Sequence, residues 1–325
     1  MPDATAFWVE RPGIGVLRRE ALQHADVGEV LVRTLFTGVS RGTELSVFGG
    51  HVPESESERM RAPFQQGDFP GPVKYGYLNV GVVEEGSPSL IGRMVFTLFP
   101  HQSAFVVPAD AVVPVPDGIP ARRAVLAGAV ETALNVLWDA APLLGDRVAV
   151  IGAGMIGCSV ARLLRGILGV EVVMIDIDPA RREIADRLGV GFAEPADAPR
   201  DRDIVINTSG SDAGLQLALE IVVTEGDVIE ASWYGDRPAT LHLGADFHSR
   251  RLTIRSSQVG AVSARRRGTR TTRDRLALAL RVLHDPAFDA LLSSDSSPQE
   301  LPELMTSLAD GSRSGLCHTI NWGAN

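Results

Sequence analysis

Cysteine is scarce in this chain. Only Cys158 and Cys317 occur in 325 residues, far apart and in apolar surroundings. A lobe of four cysteines around zinc is therefore excluded, and a chain of this length buries enough core to need no disulfide framework. Long apolar runs are missing too. No uncharged apolar stretch reaches the roughly 20 residues that a membrane helix needs, and the longest apolar windows are interrupted by Gly, Asp or Arg. The opening residues hold no basic segment followed by an apolar run, so no secretory signal is expected. The expected compartment is a reducing one, the cytoplasm. Positive charge is not in excess. The formal net charge of −9 argues against a general nucleic-acid binder.

What is present reads as two domains, the natural expectation at roughly 100–200 residues per domain. The runs Glu29–Phe36, Asn79–Glu84, Arg93–Phe99 and Ser103–Pro108 are short, rich in β-branched residues and punctuated by Gly and Pro. They predict a compact, barrel-like β-domain. Residues 51–72 are polar and Pro/Gly-rich, which predicts a long surface loop. After Pro120 the texture changes to helix over 120–141, then strand 147–151, helix 155–168, strand 171–176, helix 179–188, strand 203–207, helix 213–223 and strand 227–232. Strands alternating with helices mean βαβ units and a parallel sheet, with 252–256 as its last strand. Helices are expected at 273–284 and 299–309, and a final strand at 317–322.

The sharpest signal is Arg147-Val-Ala-Val-Ile-Gly-Ala-Gly-Met-Ile-Gly157. An apolar strand runs into Gly152, Gly154 and Gly157, and a helix follows. Gly152 permits a tight turn, Gly154 lets a pyrophosphate approach the backbone, and Gly157 lets helix and strand pack closely. The helix start at Met155 and Ile156 offers N–H groups to the phosphates. The next strand ends in Asp176, about 20 residues on, where a carboxylate accepts from the ribose hydroxyls of a dinucleotide. A 2′-phosphate beside that carboxylate meets like charge, so NAD(H) is expected over NADP(H). Arg181 and Arg182 are the competing groups, either leaning over the ribose or forming a solvated helix face. Ser209, Ser232 and Trp233 follow later strands and should border the same cleft. Ser257 and Gln258, after the last strand, are placed to bond a nicotinamide carboxamide. Ordinary turn chemistry is the alternative for each.

The order of a β-domain, a Rossmann unit and a C-terminal return resembles the medium-chain dehydrogenase/reductase superfamily, whose members are alcohol dehydrogenase-like. Local motifs carry the same likeness. Thr37-Gly-Val-Ser-Arg-Gly-Thr-Glu44 is similar to the segment holding the first catalytic zinc cysteine, and Tyr75-Gly-Tyr-Leu-Asn-Val-Gly-Val-Val-Glu84 to the one holding the histidine ligand. Gly92-Arg-Met-Val95 and Gly145-Asp-Arg147 match turns before strands. Within the superfamily, Gly-Val-Ser-Arg-Gly-Thr-Glu is similar to a zinc-less branch that includes the bacteriochlorophyllide hydroxyethyl dehydrogenases. The resemblance implies an α/β fold, a Rossmann doubly wound parallel sheet plus a GroES-like β-barrel domain. It implies boundaries at 1–119, 120–262 and 263–325, the last segment returning to the catalytic domain. It also implies a homodimer joined through the sheet edge at 252–260.

The departures from that family define the expected chemistry. Ser40 stands where the cysteine belongs, Tyr77 where the histidine belongs, and Leu78 beside it. The third ligand position falls near Ala127 or Gly128, neither of which coordinates a metal. Catalytic zinc needs three protein ligands, so no metal is expected, and hydrogen-bond donors must stabilise the developing alkoxide instead. Tyr77 is the first candidate, although its ordinary pKa near 10 would have to fall for it to act as a base. The alternative is a ring that stacks on the nicotinamide or fills the volume left by zinc. Glu131, alone in an apolar helical run, is either functional or ion-paired with Arg41 or another base. His101 is either a proton relay or a satisfied loop histidine. Ser40 either bonds the substrate oxygen or fills the volume of the cysteine.

Residues 264–281 hold seven arginines. They form either a solvated face or a patch for the cofactor pyrophosphate or an anionic substrate. Function therefore reads as zinc-independent, NAD(H)-dependent hydride transfer between nicotinamide and an alcohol or carbonyl substrate. The rivals are a quinone or enoyl C=C reductase using NAD(P)H, and a non-catalytic dinucleotide-binding protein.

Overall fold

A computed structural model describes residues 3–244 and 246–323. They fall into two compact units. The first takes the chain up to Gly128, Leu280–His284 and Leu292 onward, and the second takes Ala129–Ala279 and Asp285–Leu291. Among the described residues no helix is long and apolar enough to cross a membrane.

The second unit is built on six parallel strands. In spatial order they are Gly191–Ala193, Glu171–Ile175, Arg147–Ile151, Arg202–Asn207, Val222–Glu230 and Thr253–Ser256. That is the 3-2-1-4-5-6 order of a dinucleotide-binding sheet, with its switch point beside Arg147–Ile151. The central strands are apolar nearly throughout because parallel strands are covered on both faces; Val148, Ala149 and Val150 are fully buried. Helix Asp212–Ile221 starts cleanly because Ser211 caps it, its hydroxyl accepting from Gly214 N at 3.1 Å.

The first unit holds a four-stranded sheet, ordered Ile14–Ala21, Asp3–Arg11, Val73–Lys74, Gln66–Gly67. Beside it is a seven-stranded sheet centred on Glu29–Ser40. That long strand pairs with Asn79–Glu85, with Ala104–Pro108 and with the returning strand Cys317–Asn321, which sets Cys317 opposite Ser40. Phe7, Val39, Val47, Phe48, Leu304 and Met305 share one core of this unit. The stretch at 51–72 carries only the short helix Glu54–Glu56 and the strand Gln66–Gly67.

Two boundaries differ from the sequence expectation. The crossing into the second unit falls after Gly128 rather than at 119–120, because helix Ala121–Ala124 packs on the strands of the first unit. The return begins at Leu280, not at 263. Helix Thr272–Val282 stays largely with the second unit because Arg275 is buried there against Glu131. The helix expected over 120–141 is two helices, Ala121–Ala124 and Ala127–Ala140. Helix, strand and length expectations for 147–188 agree closely with the structure, whereas strand Gly191–Ala193 is too short to show in the pattern.

Candidate active site

The glycine turn in the second unit is shaped as its sequence predicts. Gly152 takes φ +96°, and a Cβ there would lie 2.8 Å from the backbone of Ser209. At Gly157 a Cβ would overlap the Gly152 carbonyl oxygen and come within 2.6 Å of Thr208 Oγ1. At Gly154 a Cβ would meet open space, so the backbone is bare where a pyrophosphate would approach. Helix Met155–Arg165 begins there, with Gly154 as its N-cap. Thr208 Oγ1 donates to Gly152 O at 2.8 Å and pins the turn to the next strand.

Asp176 is fixed at the rim of this turn. Its Oδ2 accepts from Ala153 N at 2.6 Å and its Oδ1 from Asp178 N at 2.9 Å. A carboxylate has about four acceptor sites, so capacity remains for two ribose hydroxyls. The competing arginines are engaged elsewhere. Arg181 Nε lies 3.2 Å from Asp178, and the Arg182 guanidinium stacks over Phe192 at 4.8 Å.

The later strand ends are stitched together by a polar group that sequence reasoning missed. Asn207 Nδ2 donates to Glu230 Oε2 at 2.6 Å, and Tyr234 OH lies 3.2 Å from the same oxygen. Burial, then the Glu230 charge, raises the Tyr234 phenol above its usual range. Ser209 Oγ donates to Asn207 Oδ1 at 2.8 Å, and Ser232 Oγ accepts from Gly210 N at 2.9 Å. Trp233, which follows Ser232, is half-buried. The side chains of Ser257 and Gln258 bond within the unit: Ser257 Oγ donates to Asp139 at 2.6 Å, and Gln258 Oε1 accepts from Gly260 N at 2.7 Å.

In the first unit, the two positions that the family resemblance assigns to metal ligands meet. Tyr77 OH donates to Ser40 Oγ at 2.8 Å. Burial, reinforced by the Glu44 charge, pushes the Tyr77 phenol up to about 12. The shift runs opposite to what a base would require, so Tyr77 is a hydrogen-bond donor at neutral pH. Behind the pair lies a residue the sequence reading did not single out. Glu44, 3% exposed, accepts from Ser40 N at 2.9 Å through one oxygen and faces His101 Nε2 at 2.8 Å through the other. His101 Nδ1 lies 2.7 Å from Thr37 Oγ1, to which Trp322 Nε1 donates at 2.9 Å. With the ring proton on Nε2, each donor finds an acceptor: Trp322 to Thr37, Thr37 to His101, His101 to Glu44. His101 is thus satisfied on both sides, as a loop histidine within a buried wall. Glu44 was legible as the acid closing the Thr37–Glu44 motif, on the first turn of helix Thr43–Gly49.

Glu131 lies in the second unit and is taken by an internal base. Arg275, not Arg41, pairs with it at 3.0 Å, and both side chains are almost fully buried. Burial raises the Glu131 carboxyl while the guanidinium opposes that rise. The chemistry of the first unit's donors does not suit zinc. Ser40 and Tyr77 are neutral hydroxyls, and burial pushes the Cys317 thiol up to about 12. Among the described residues no three His, Cys, Asp or Glu side chains are grouped to hold a metal ion.

The fold, one unit with a Rossmann-type parallel sheet and one GroES-like β-unit, matches that of solved dehydrogenase structures. L-idonate 5-dehydrogenase from Escherichia coli K-12 superposes with a TM-score of 0.81 at 15% identity, covering 98% of both chains. A short chain alcohol dehydrogenase from Escherichia coli CFT073, complexed with NADH, superposes with a TM-score of 0.78 at 15% identity, covering 99% of this chain and 100% of that one. In sequence, L-threonine 3-dehydrogenase of Mesorhizobium japonicum is 36% identical over 119 residues, 34% of this chain and 33% of that enzyme. The match spans about a third of the length of such curated relatives. No family model matches the chain.

Proposed function

We propose that this protein is an NAD(H)-linked oxidoreductase of alcohol and carbonyl substrates in which hydroxyl groups, not a zinc ion, meet the reacting oxygen. The observation that carries the reading is the Tyr77–Ser40 hydroxyl pair, 2.8 Å apart, at the two positions that the family resemblance assigns to metal ligands. The dehydrogenase names of its sequence relative and structural neighbours support the reaction class.

Gly152, Gly154 and Gly157 with the start of helix Met155–Arg165 would hold the pyrophosphate, and Asp176 the adenosine ribose. The bound nicotinamide would supply or accept the hydride. The chain's own part is the proton. Because Tyr77 donates to Ser40 Oγ, the Ser40 hydroxyl hydrogen is left for the substrate oxygen. As a carbonyl is reduced, that oxygen takes the Ser40 proton, Tyr77 restores it, and solvent restores Tyr77. Two aligned donors also stabilise negative charge on the oxygen before the proton moves. Glu44 keeps the Ser40 backbone in place and its charge favours the protonated phenol.

Preference for NAD(H) rests on Asp176, together with the engagement of Arg181 and Arg182. Asp176→Ser is expected to raise NADPH affinity relative to NADH by at least about tenfold, since like charges a few ångströms apart repel by several kcal/mol at partly buried sites. Titration of both cofactors checks it. Among the described residues strand Thr253–Ser256 forms an edge of its sheet, and this edge is the surface on which a second copy would pair to give a homodimer. Six of the seven clustered arginines are exposed and suit an anionic substrate.

The reading is tested by following NADH absorbance against a panel of ketones, aldehydes and enones, with metal analysis of the same sample. Turnover of C=O substrates by zinc-free protein is the expected result. Turnover confined to enones, or activity that tracks zinc content, would replace it.

A further inference from the structure

Helix Ala127–Ala140 is apolar and buried along most of its length, yet it carries a polar stripe at every fourth residue: Glu131, Asn135 and Asp139. That spacing places the three on one face. Opposite them, on helix Thr272–Val282, stands Arg275, which is 1% exposed. A buried charge of this kind is costly unless its donors are used, and here they go to Glu131, to Asn135 and to one short segment of backbone.

The segment is 257–263, which leaves the carboxyl end of the last parallel strand. Arg275 Nε donates to Glu131 at 3.0 Å. One terminal nitrogen donates to Asn135 Oδ1 at 2.5 Å and to Ala261 O at 3.2 Å, and the other to Val259 O at 2.5 Å. Asn135 in turn donates to Gln258 O at 3.2 Å and accepts from Ser263 N at 2.9 Å. Asp139 accepts from Ser257 Oγ at 2.6 Å. Three carbonyls, one amide and one hydroxyl within seven residues are thus held by two helices. Loops that only connect elements are seldom fixed this heavily, since each buried hydrogen bond to a charged group restricts its freedom.

The place of the loop in the sheet indicates its purpose. Ligands of such sheets lie beyond the carboxyl ends of the strands, astride the switch point. Asp176 ends the strand on one side of Arg147–Ile151, and the clamped segment follows the outermost strand on the other side. A dinucleotide held by Asp176 at its adenosine end therefore extends toward the clamp with its other end. We propose that Arg275, Glu131, Asn135 and Asp139 are positioning residues that fix the backbone of 257–263 as the receptor for the nicotinamide half of the cofactor. The proposal rests on the dinucleotide reading given above and assigns the clamp no contact with the cofactor itself.

The test compares NADH with ADP-ribose, which lacks only the nicotinamide. Both are titrated against the wild-type chain and against Arg275→Lys and Asp139→Ala, with thermal denaturation of each. Lysine retains a charge for Glu131 but not the planar fork that reaches Val259, Ala261 and Asn135 together. Asp139→Ala releases the start of the loop without touching the buried pair, and so decides the matter if Arg275→Lys does not fold. NADH affinity is expected to fall about tenfold in Arg275→Lys and about threefold in Asp139→Ala, with ADP-ribose affinity unchanged. Equal loss of both ligands, or loss of neither, would show a purely structural clamp and overturn the proposal. Wild-type protein that binds neither ligand would overturn the dinucleotide reading and the clamp's ligand with it.

Discussion

Gly157→Ala should reduce NADH affinity at least about a hundredfold, the largest effect expected of any single methyl group in this chain. The reason is geometric. A Cβ at Gly157 would occupy the space of the Gly152 carbonyl oxygen and press on Thr208 Oγ1 at 2.6 Å. Gly152 belongs to the turn proposed to present its backbone to the pyrophosphate, Thr208 pins that turn to the neighbouring strand, and neither contact is with the far end of a flexible side chain. Helix Met155–Arg165 would have to move away from strand Arg147–Ile151, carrying its N-terminal N–H groups out of reach of the phosphates. Fluorescence titration with NADH measures the loss, and near-native circular dichroism would separate it from unfolding. Retention of wild-type affinity would mean that the cofactor does not use this turn. Gly154→Ala is the internal control: its Cβ meets no protein atom, so any loss of binding there reports on ligand approach alone.

Tyr77→Phe should lower the rate of hydride transfer at least about tenfold, corresponding to roughly 1.4 kcal/mol or more of lost transition-state stabilisation. The substitution removes one oxygen and with it the hydrogen bond to Ser40 Oγ. It leaves the ring, which packs edge-on against Tyr75 with centroids 6.1 Å apart, so the wall should keep its shape. NADH affinity should not change, because the glycine turn lies in the other unit. The pH profile adds a second check. A phenol pushed up to about 12 is protonated throughout the neutral and mildly alkaline range. Its donor role in carbonyl reduction should therefore persist as pH rises, with no loss attributable to Tyr77 below about pH 10. Single-turnover absorbance measurements on a reducible carbonyl would show both effects. A rate equal to wild type would remove Tyr77 from the chemistry.

Different parts of this molecule were legible in the sequence to different degrees, for physical reasons. The glycine turn was plain because three glycines, an apolar strand and a terminal acid all act locally, within about 30 residues. The parallel sheet was plain because strands alternate with helices at the spacing of βαβ units. That Ser40 and Tyr77 each stand at a ligand position followed from the family resemblance, but their 2.8 Å contact did not, since it depends on how strands distant in sequence register. Glu131 showed itself as an odd charge in an apolar helix, while its partner was concealed among seven arginines. Arg275 shares a helix face with Leu276, Ala279 and Leu280, all buried. That spacing was the available clue to which arginine turns inward. The extension of the first unit to Gly128 was illegible, because it depends on which sheet a four-residue helix packs against.

The return strand Cys317–Asn321 has a consequence for the order in which the molecule can be completed. It lies beside Glu29–Ser40, opposite Ser40 itself, and Trp322 anchors Thr37. During synthesis, the parallel sheet has all six of its strands once residue 256 has emerged, and the second unit is complete once Leu291 has followed. The wall behind Ser40 must wait for residues 317–322. Until then, one flank of the longest strand in the first unit stays open to any other extended segment, so release of the chain between those points would yield a complete second unit attached to a first unit without its closing strand.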